Sequence, residues 1–229
     1  MNWFVKTFSS TLGRKLLVAL TGIFLILFLV VHLAGNLQLL KNDEGEAFNI
    51  YAHTMASNPL IKVVSILNFA FIALHAIVAL VLARYNKKAR PVSYAVNAGS
   101  SNSSWASRNM AVLGLIVLVF ILVHLKGFWY ENKFGSIEQE TYPEVGAVNN
   151  LYKVVDATYA EWWYVLFYVA CMGFVAFHLF HGFQSAFQTL GLNHVKYTPV
   201  IKKIGVAFAI VVPLLFAVIP IVMFVKNMG

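Results

Sequence analysis

Charge is what this 229-residue sequence has least of. Only 11% of its residues are charged and 60% are hydrophobic, whereas soluble domains are about 25% charged and about 45–50% apolar. The lack of charge excludes a soluble domain. The apolar runs are long and continuous rather than alternating, which excludes a disordered chain and a β-barrel. The sequence therefore predicts an integral membrane protein.

The sequence has a single cysteine, Cys171, which lies inside an apolar run. One cysteine excludes an intrachain disulfide, and the lack of a C-x-x-C-H motif excludes a covalently attached c-type haem. We interpret Cys171 as a small packing residue. Acidic residues are also scarce, and none of the nine lies in the middle of an apolar run. A proton path built from carboxylates therefore has no residue to use within the membrane.

Five apolar runs are long enough to cross a hydrocarbon core of about 30 Å, which takes roughly 20 helical residues. They are 16–40, 61–84, 109–130, 162–190 and 204–225. We therefore predict an all-α integral membrane fold, a bundle of five transmembrane helices that forms a single domain over residues 1–229. The first run is long for a cleaved signal peptide and contains no small-x-small cleavage site, so we expect it to be a retained helix.

The charged residues predict the orientation of the chain. An excess of Lys and Arg marks the cytoplasmic side of a membrane protein. All the acids fall between spans one and two or between spans three and four, whereas the other side is basic and free of acids. We therefore expect the N-terminus to be cytoplasmic and the C-terminus to lie outside. The basic set is Lys6, Arg14, Lys15, Arg84, Lys87, Lys88, Arg90, Arg108, Lys196, Lys202 and Lys203.

Three segments outside the spans have their own patterns. Residues 85–107 are polar and rich in serine, which indicates a loop. Residues 131–160 form a longer connection with several aromatic side chains, which favours a folded cap over the membrane face. Residues 2–12 could form a short helix in the membrane interface.

Ionisable residues inside spans are costly and usually functional, and the first four spans each contain histidine. At about 1.5 Å per residue, His32 and His124 lie roughly 25 Å from the cytoplasmic boundary and belong to the outer leaflet. His75 lies roughly 13 Å from that boundary, and His178, with His181 beside it, lies at a similar inner depth. Two imidazoles facing each other across a bundle are what bis-histidine haem ligation requires. The pattern predicts two b-type haems, one above the other; the alternative is four histidines with separate structural roles.

Two glycines agree with this pattern. Gly22 precedes His32 by ten positions and Gly114 precedes His124 by ten, so both lie about 15 Å deeper, near the inner level. A missing side chain there would leave room for a macrocycle. Small residues that allow two helices to pack closely are the alternative explanation.

Four ordered motifs carry a resemblance to a known family. They are H-L-x-x-N at His32–Asn36, L-H-A-I at Leu74–Ile77, V-H ending the third span at His124, and H-x-x-x-G-x8-G from His178. The sequence resembles the cytochrome b subunit of succinate:quinone oxidoreductases, the succinate dehydrogenases and fumarate reductases, in the branch with one five-helix, di-haem polypeptide. The number and order of helices match over essentially the whole chain.

The resemblance implies a ligand set. The family's ligand in the fourth span has glycine at the fourth position after it, which selects His178 and leaves His181 as the alternative. The inner haem would be bound by His75 and His178 and the outer haem by His32 and His124. His181 would then bond a propionate, a carbonyl group or water.

The resemblance also implies partners. A flavoprotein subunit and an iron–sulfur subunit would dock on the cytoplasmic face, and complexes could pair into dimers. This chain would anchor them in the bacterial inner membrane and carry electrons between the iron–sulfur subunit and a menaquinone or ubiquinone. The sequence itself contains no flavin motif and no cysteine set for a cluster, so we expect it to do no dicarboxylate chemistry. Membrane lipid is an expected partner and nucleic acid is not.

A quinone site needs an apolar cleft with a few polar groups for the quinone carbonyls. Because a two-haem relay is useful if it carries electrons to the far leaflet, we expect this site beside the outer haem, with Asn36, Tyr51, His53 and Lys126 as candidate residues. Polar and aromatic residues at this depth are also common interfacial anchors.

Two other functions remain open from the sequence. One is the membrane cytochrome b of a hydrogenase or a formate dehydrogenase. The other is a haem-free transporter that uses buried histidines for protons.

Overall fold

The computed structural model describes residues 2–89 and 103–229. Arg90 and most of the predicted loop over 85–107 lie outside the described residues. Within them the chain is mostly helical, as the sequence predicts. The helices are α1 Trp3–Ser9, α2 Thr11–Asn36, α3 Glu46–Ser57, α4 Pro59–Lys88, α5 Trp105–Arg108, α6 Met110–His124, α7 Glu131–Phe134, α8 Leu151–Tyr159, α9 Trp162–Thr189 and α10 Thr198–Met228.

Among the described residues, five helical segments are long and apolar enough to cross a membrane, which confirms the predicted number. They are Thr11–Leu40, Pro59–Lys88, Met110–Phe134, Trp162–Thr189 and Thr198–Met228. Most of these helices run a few residues beyond the predicted apolar runs. Helical hydrogen bonding continues past the last apolar side chain, so hydropathy alone underestimates helix length.

Large apolar side chains along these helices face outward. Leu27, Leu122 and Leu214 are 62%, 60% and 59% exposed. In water such a surface would be costly, and extensive exposed apolar surface marks a protein that meets lipid or a partner. Trp162 and Trp163, at the start of α9, are also exposed, at a position where aromatic residues anchor helices in the membrane interface.

Local sequence signals set several helix ends. The Asn58 side chain accepts hydrogen bonds from the backbone of Leu60 at 2.9 Å and of Ile61 at 3.3 Å, and Pro59 occupies the first position of α4. This is the favoured N-terminal combination, because proline needs no partner for an amide hydrogen there. Asp43 accepts from the backbone of Gly45 and Ala47 before α3 begins. Gly45 has a φ of 91° and its Cα faces the Tyr152 ring, so no other residue fits.

The structure departs from the predicted all-α fold in one place. Gln139–Tyr142 (β1) pairs antiparallel with Gly146–Asn149 (β2), and Glu140 lies opposite Val148. Thr, Tyr and Val favour strands, and Pro143 and Glu144 lie in the turn between them. Tyr142 and Val148 are buried, whereas Glu140 and Thr141 are exposed. The 131–160 connection is thus folded, as predicted, but contains a hairpin as well as helices.

A buried asparagine links α3 to this hairpin. Asn49 is 1% exposed; its amide donates to the Tyr142 hydroxyl at 2.9 Å and to Asn150 Oδ1 at 3.0 Å. Its Oδ1 accepts from the Tyr152 backbone at 3.0 Å. Three bonds satisfy most of a buried amide's hydrogen-bonding capacity. Asn49 therefore fixes α3 against the hairpin and α8.

The chain forms two compact units. The first unit comprises Met1–Leu27, Asn68–Ile116 and Phe174–Ile210, and the second comprises Phe28–Leu67, Val117–Gly173 and Val211–Gly229. Each unit contains one pair of the histidines singled out from the sequence.

Candidate functional site

In the first unit the structure brings together His75 from α4 and His178 from α9. Their ring centroids are 6.3 Å apart and the ring planes are inclined at 64°. Two imidazoles that bind one metal ion from opposite sides, at a nitrogen–metal distance of about 2 Å, have centroids roughly 6 Å apart. The spacing of His75 and His178 therefore fits two axial ligands.

Two glycines lie against this pair of rings. A Cβ atom on Gly22 would lie 3.3 Å from His75 Cε1, and one on Gly114 would lie 3.6 Å from His178 Cε1. Both glycines therefore lie against the two rings, at the level where the sequence places them. Larger residues at either position would occupy the space beside the imidazoles.

The two rings of the first unit differ in their hydrogen bonding. His75 Nδ1 is 3.1 Å from the buried hydroxyl of Thr21 on α2. His178 Nδ1 is buried, and it has no hydrogen-bond partner within the part of the chain that the structure describes. An unpaired buried polar atom costs about 1–3 kcal/mol, so a native structure that keeps one calls for an explanation. A group bound at the other ring nitrogen, Nε2, would leave Nδ1 without a partner, so this atom does not by itself indicate a ligand.

His181 lies three residues beyond His178 on α9 and is half-buried. The ring that faces His75 is that of His178. This arrangement agrees with the choice of His178 as ligand, which stays a prediction.

In the second unit the structure brings together His32 from α2 and His124 from the C-terminal end of α6. Their ring centroids are 5.7 Å apart and the planes are perpendicular, at 90°. Asn36 donates to the His32 carbonyl at 2.8 Å and lies 3.4 Å from its Nδ1. His124 Nδ1 is 3.2 Å from the hydroxyl of Tyr168 on α9. Here too, two imidazoles from different helices face each other.

A π-helix, Leu125–Tyr130, follows His124 directly. Segments of π-helix are rare and occur frequently at functional sites, because the extra residue per turn re-aims the side chains. Within this segment, Gly127 leaves room for the Tyr164 hydroxyl, which a Cβ atom would meet at 2.9 Å. The π-helix therefore begins directly after His124, the candidate ligand, and accommodates Tyr164 from α9.

Aromatic rings pack around His124. Phe120, Phe128 and Tyr168 have ring centroids 5.9, 5.2 and 6.2 Å from it. Tyr159 stands 5.4 Å from Tyr168, and burial raises the pKa of its phenol, so that it stays protonated at neutral pH. Aromatic rings therefore surround His124 in the second site, whereas a hydroxyl and two glycines lie against the rings of the first.

The four residues predicted for a quinone site all lie in the second unit, but in different surroundings. Asn36 and the half-buried Tyr51 flank the His32 turn, and the Tyr51 ring packs on Gly35. His53 is exposed on α3. Lys126 is exposed and pairs with Glu131 at 2.7 Å. Asn36 and Tyr51 are thus the two that lie beside the histidine pair.

Within the described residues, no group of three or more His, Cys, Asp or Glu side chains could hold a metal ion by itself. Pairs of imidazoles are sufficient for haem, because the macrocycle supplies the other four nitrogen ligands. The paired imidazoles therefore fit haem iron better than an ion held by protein side chains alone.

Sequence reasoning did not identify Thr21 and Tyr168, whose hydroxyls lie within hydrogen-bond distance of a histidine ring nitrogen. Each is far from its histidine along the chain, by 54 and 44 positions. Thr21 precedes Gly22, which the sequence places at the depth of His75. A small polar residue next to that glycine could therefore have indicated a partner for the His75 ring.

Comparison with protein-family models, with curated proteins and with solved structures finds no match for this chain.

Proposed function

We propose that this protein is the di-haem cytochrome b anchor of a succinate dehydrogenase or fumarate reductase complex, and that it carries electrons between an iron–sulfur subunit and a membrane quinone. The observation that supports the proposal is the presence of two facing histidine pairs. His75 faces His178, and His32 faces His124, each pair within a compact unit of its own.

Each pair supplies two neutral imidazoles from two different helices. The rings of the first pair have the spacing of axial ligands, and Gly22 and Gly114 leave space at their edges. A haem held by these histidines would supply one-electron transfer. The role of the chain's own residues is to hold the rings and to exclude water.

The orientation follows from the charge pattern. The basic, acid-free ends of the spans face the cytoplasm, and the flavoprotein and iron–sulfur subunits dock there. By the depths that the sequence gives, the His75–His178 pair would hold the haem nearer these partners. A basic face suits an acidic protein surface.

The quinone site lies beside the His32–His124 pair, in the same unit. Tyr51 and Asn36 provide a hydroxyl and an amide next to the His32 turn. A quinone carbonyl accepts hydrogen bonds from such groups, and apolar side chains hold its ring. His53 and Lys126 lie farther out, on exposed surface.

The test is the haem content of the purified protein. We expect a pyridine haemochrome assay to give two b-type haems per chain. His75→Ala and His178→Ala should both lose one haem, and His32→Ala and His124→Ala should both lose the other, because a methyl group cannot replace an axial imidazole.

The two haems can be told apart by their α-bands and midpoint potentials in redox difference spectra. Loss of the same haem from His75→Ala and His32→Ala would contradict the pairing. One haem or none per wild-type chain would contradict the proposed function. Co-purification of a flavoprotein with succinate dehydrogenase activity separates this function from the cytochrome b of a hydrogenase or a formate dehydrogenase.

A further inference from the structure

The ring of His75 rests on two consecutive residues of α2. Thr21 Oγ1 lies 3.1 Å from His75 Nδ1, and a Cβ atom on Gly22 would lie 3.3 Å from His75 Cε1. Nδ1 and Cε1 are neighbouring ring atoms, so one edge of the imidazole is set against the Thr21–Gly22 backbone. Thr21 is 4% exposed, and water does not compete for its hydroxyl.

The hydroxyl of Thr21 lies close to two backbone carbonyls of its own helix. Its oxygen lies 2.7 Å from the Leu17 carbonyl and 3.2 Å from the Val18 carbonyl. Carbonyl oxygens only accept, and a hydroxyl has one hydrogen to donate. Donation to the Leu17 carbonyl, the nearer of the two, is the bond that threonine in a helix often makes to the residue four positions earlier.

When this hydrogen goes to the Leu17 carbonyl, Thr21 Oγ1 accepts from the His75 ring, and Nδ1 carries the hydrogen. In a neutral imidazole the second nitrogen, Nε2, is then left with a lone pair. We propose that Thr21 is a positioning residue, which fixes His75 in the tautomer whose Nε2 can bind iron.

This inference rests on the proposed function and adds a specific consequence. A hydrogen bond from the free ring nitrogen makes an imidazole a stronger donor to its metal. A stronger donor favours the ferric over the ferrous state, so the bond lowers the midpoint potential of that haem. His178, the opposite ring, has no such bond from its Nδ1 within the described residues, so Thr21 acts on one side of the site.

The experiment uses the complete membrane complex, purified with its haems, and compares Thr21→Val with Thr21→Ser. Valine keeps the shape and removes the hydroxyl, whereas serine keeps it. Thr158→Val is the matched control, because Thr158 donates to the Val154 carbonyl at 2.7 Å in the same way, and within the described residues no hydrogen bond joins it to a histidine. The readouts are the two midpoint potentials and the low-temperature EPR signals of the ferric haems.

We expect Thr21→Val to shift one haem to a more positive potential and to change its EPR signal, with the other haem unchanged. The affected haem should be the one lost in His75→Ala. Thr21→Ser and Thr158→Val should match the wild type. If Thr21→Val loses that haem altogether, retention of the haem in Thr21→Ser supports the same conclusion.

Three results would overturn the assignment. They are a Thr21→Val protein with wild-type potentials and EPR signals, a serine variant as altered as the valine variant, and an equal shift of both haems. A wild-type protein without haem would instead overturn the proposed function, and the assignment with it.

Discussion

The two glycines beside the first histidine pair allow a graded test of the site. A Cβ atom at Gly114 would lie 3.6 Å from His178 Cε1, an ordinary contact, whereas one at Gly22 would lie 3.3 Å from His75 Cε1, which is tighter than usual. We therefore expect Gly114→Ala to leave haem binding unchanged and Gly22→Ala to push the His75 ring by a few tenths of an ångström. Leucine at either position extends well beyond Cβ and should block the site.

Two effects on stability act in opposite directions. Glycine inside a helix costs roughly 0.5–1 kcal/mol relative to alanine, so both alanine variants gain about that much from the backbone. Overpacking a tight site costs typically about 1–3 kcal/mol. At Gly114 only the gain applies, and the protein should be slightly more stable. In the leucine variants the overpacking cost exceeds the backbone gain. The new side chain contacts the imidazole rings, so we expect the disturbance at the haem site.

The assay is haem stoichiometry by pyridine haemochrome, combined with redox difference spectra. We expect Gly22→Leu and Gly114→Leu to lose the haem that is also lost in His75→Ala, and to keep the other. Gly173→Leu is the matched control on α9, since a Cβ atom there meets nothing within 4 Å. Leucine variants with two unaltered haems, or with loss of the other haem, would refute the reasoning.

Two further predictions concern single residues. His178→Ala should lose one haem and His181→Ala should keep both, because only the His178 ring faces His75; the reverse result in the haemochrome assay would mean that His181 is the ligand. Tyr51→Phe should keep both haems and the soluble dicarboxylate activity of the complex but lose quinone-linked turnover, whereas His53→Ala, on exposed surface, should keep it. Normal quinone kinetics in Tyr51→Phe, measured with a short-chain quinone, would place the site elsewhere.

The spans were predictable because a segment that crosses the membrane must be composed mostly of apolar residues. Runs such as 16–40 are apolar on all sides, since lipid and neighbouring helices both require it, and no tertiary information is needed to find them. The hairpin Gln139–Asn149 was not predictable with the same ease. Its strands have four residues each, too short for an alternating pattern, and Asn49, which holds them in place, comes from a distant part of the chain.

The histidine pairs were predictable for a geometric reason. A helix has a fixed rise, so distance along a span gives depth, and depth alone groups His32 with His124 and His75 with His178. Direction around the helix axis is harder to obtain, because it depends on how the helices are rotated against each other. The hydrogen bonds of Thr21 and Tyr168 depend on that rotation, and so they became visible only in the structure.

The five spans divide the work of the site unevenly. Four of them supply one ring each to the two pairs, but α10 supplies no histidine. Its Phe216 ring lies 5.6 Å from His32 in the second unit, and its Phe208 ring lies 5.9 Å from Phe183 in the first. Met223 and Ala209 on the same helix are almost completely buried. The fifth helix therefore acts as a packing element, whose phenylalanine rings contact rings on other helices.

This division has a consequence for the folding of the chain. Each histidine pair joins two helices that do not follow one another in sequence, α4 with α9 and α2 with α6. A group bound by both rings of a pair links those helices, and it stabilises the folded state by mass action because the unfolded chain cannot bind it with two rings at once. The packing of α10 can proceed through apolar contacts alone. On the proposed function, haem binding and helix assembly are therefore coupled for the four spans that supply the rings.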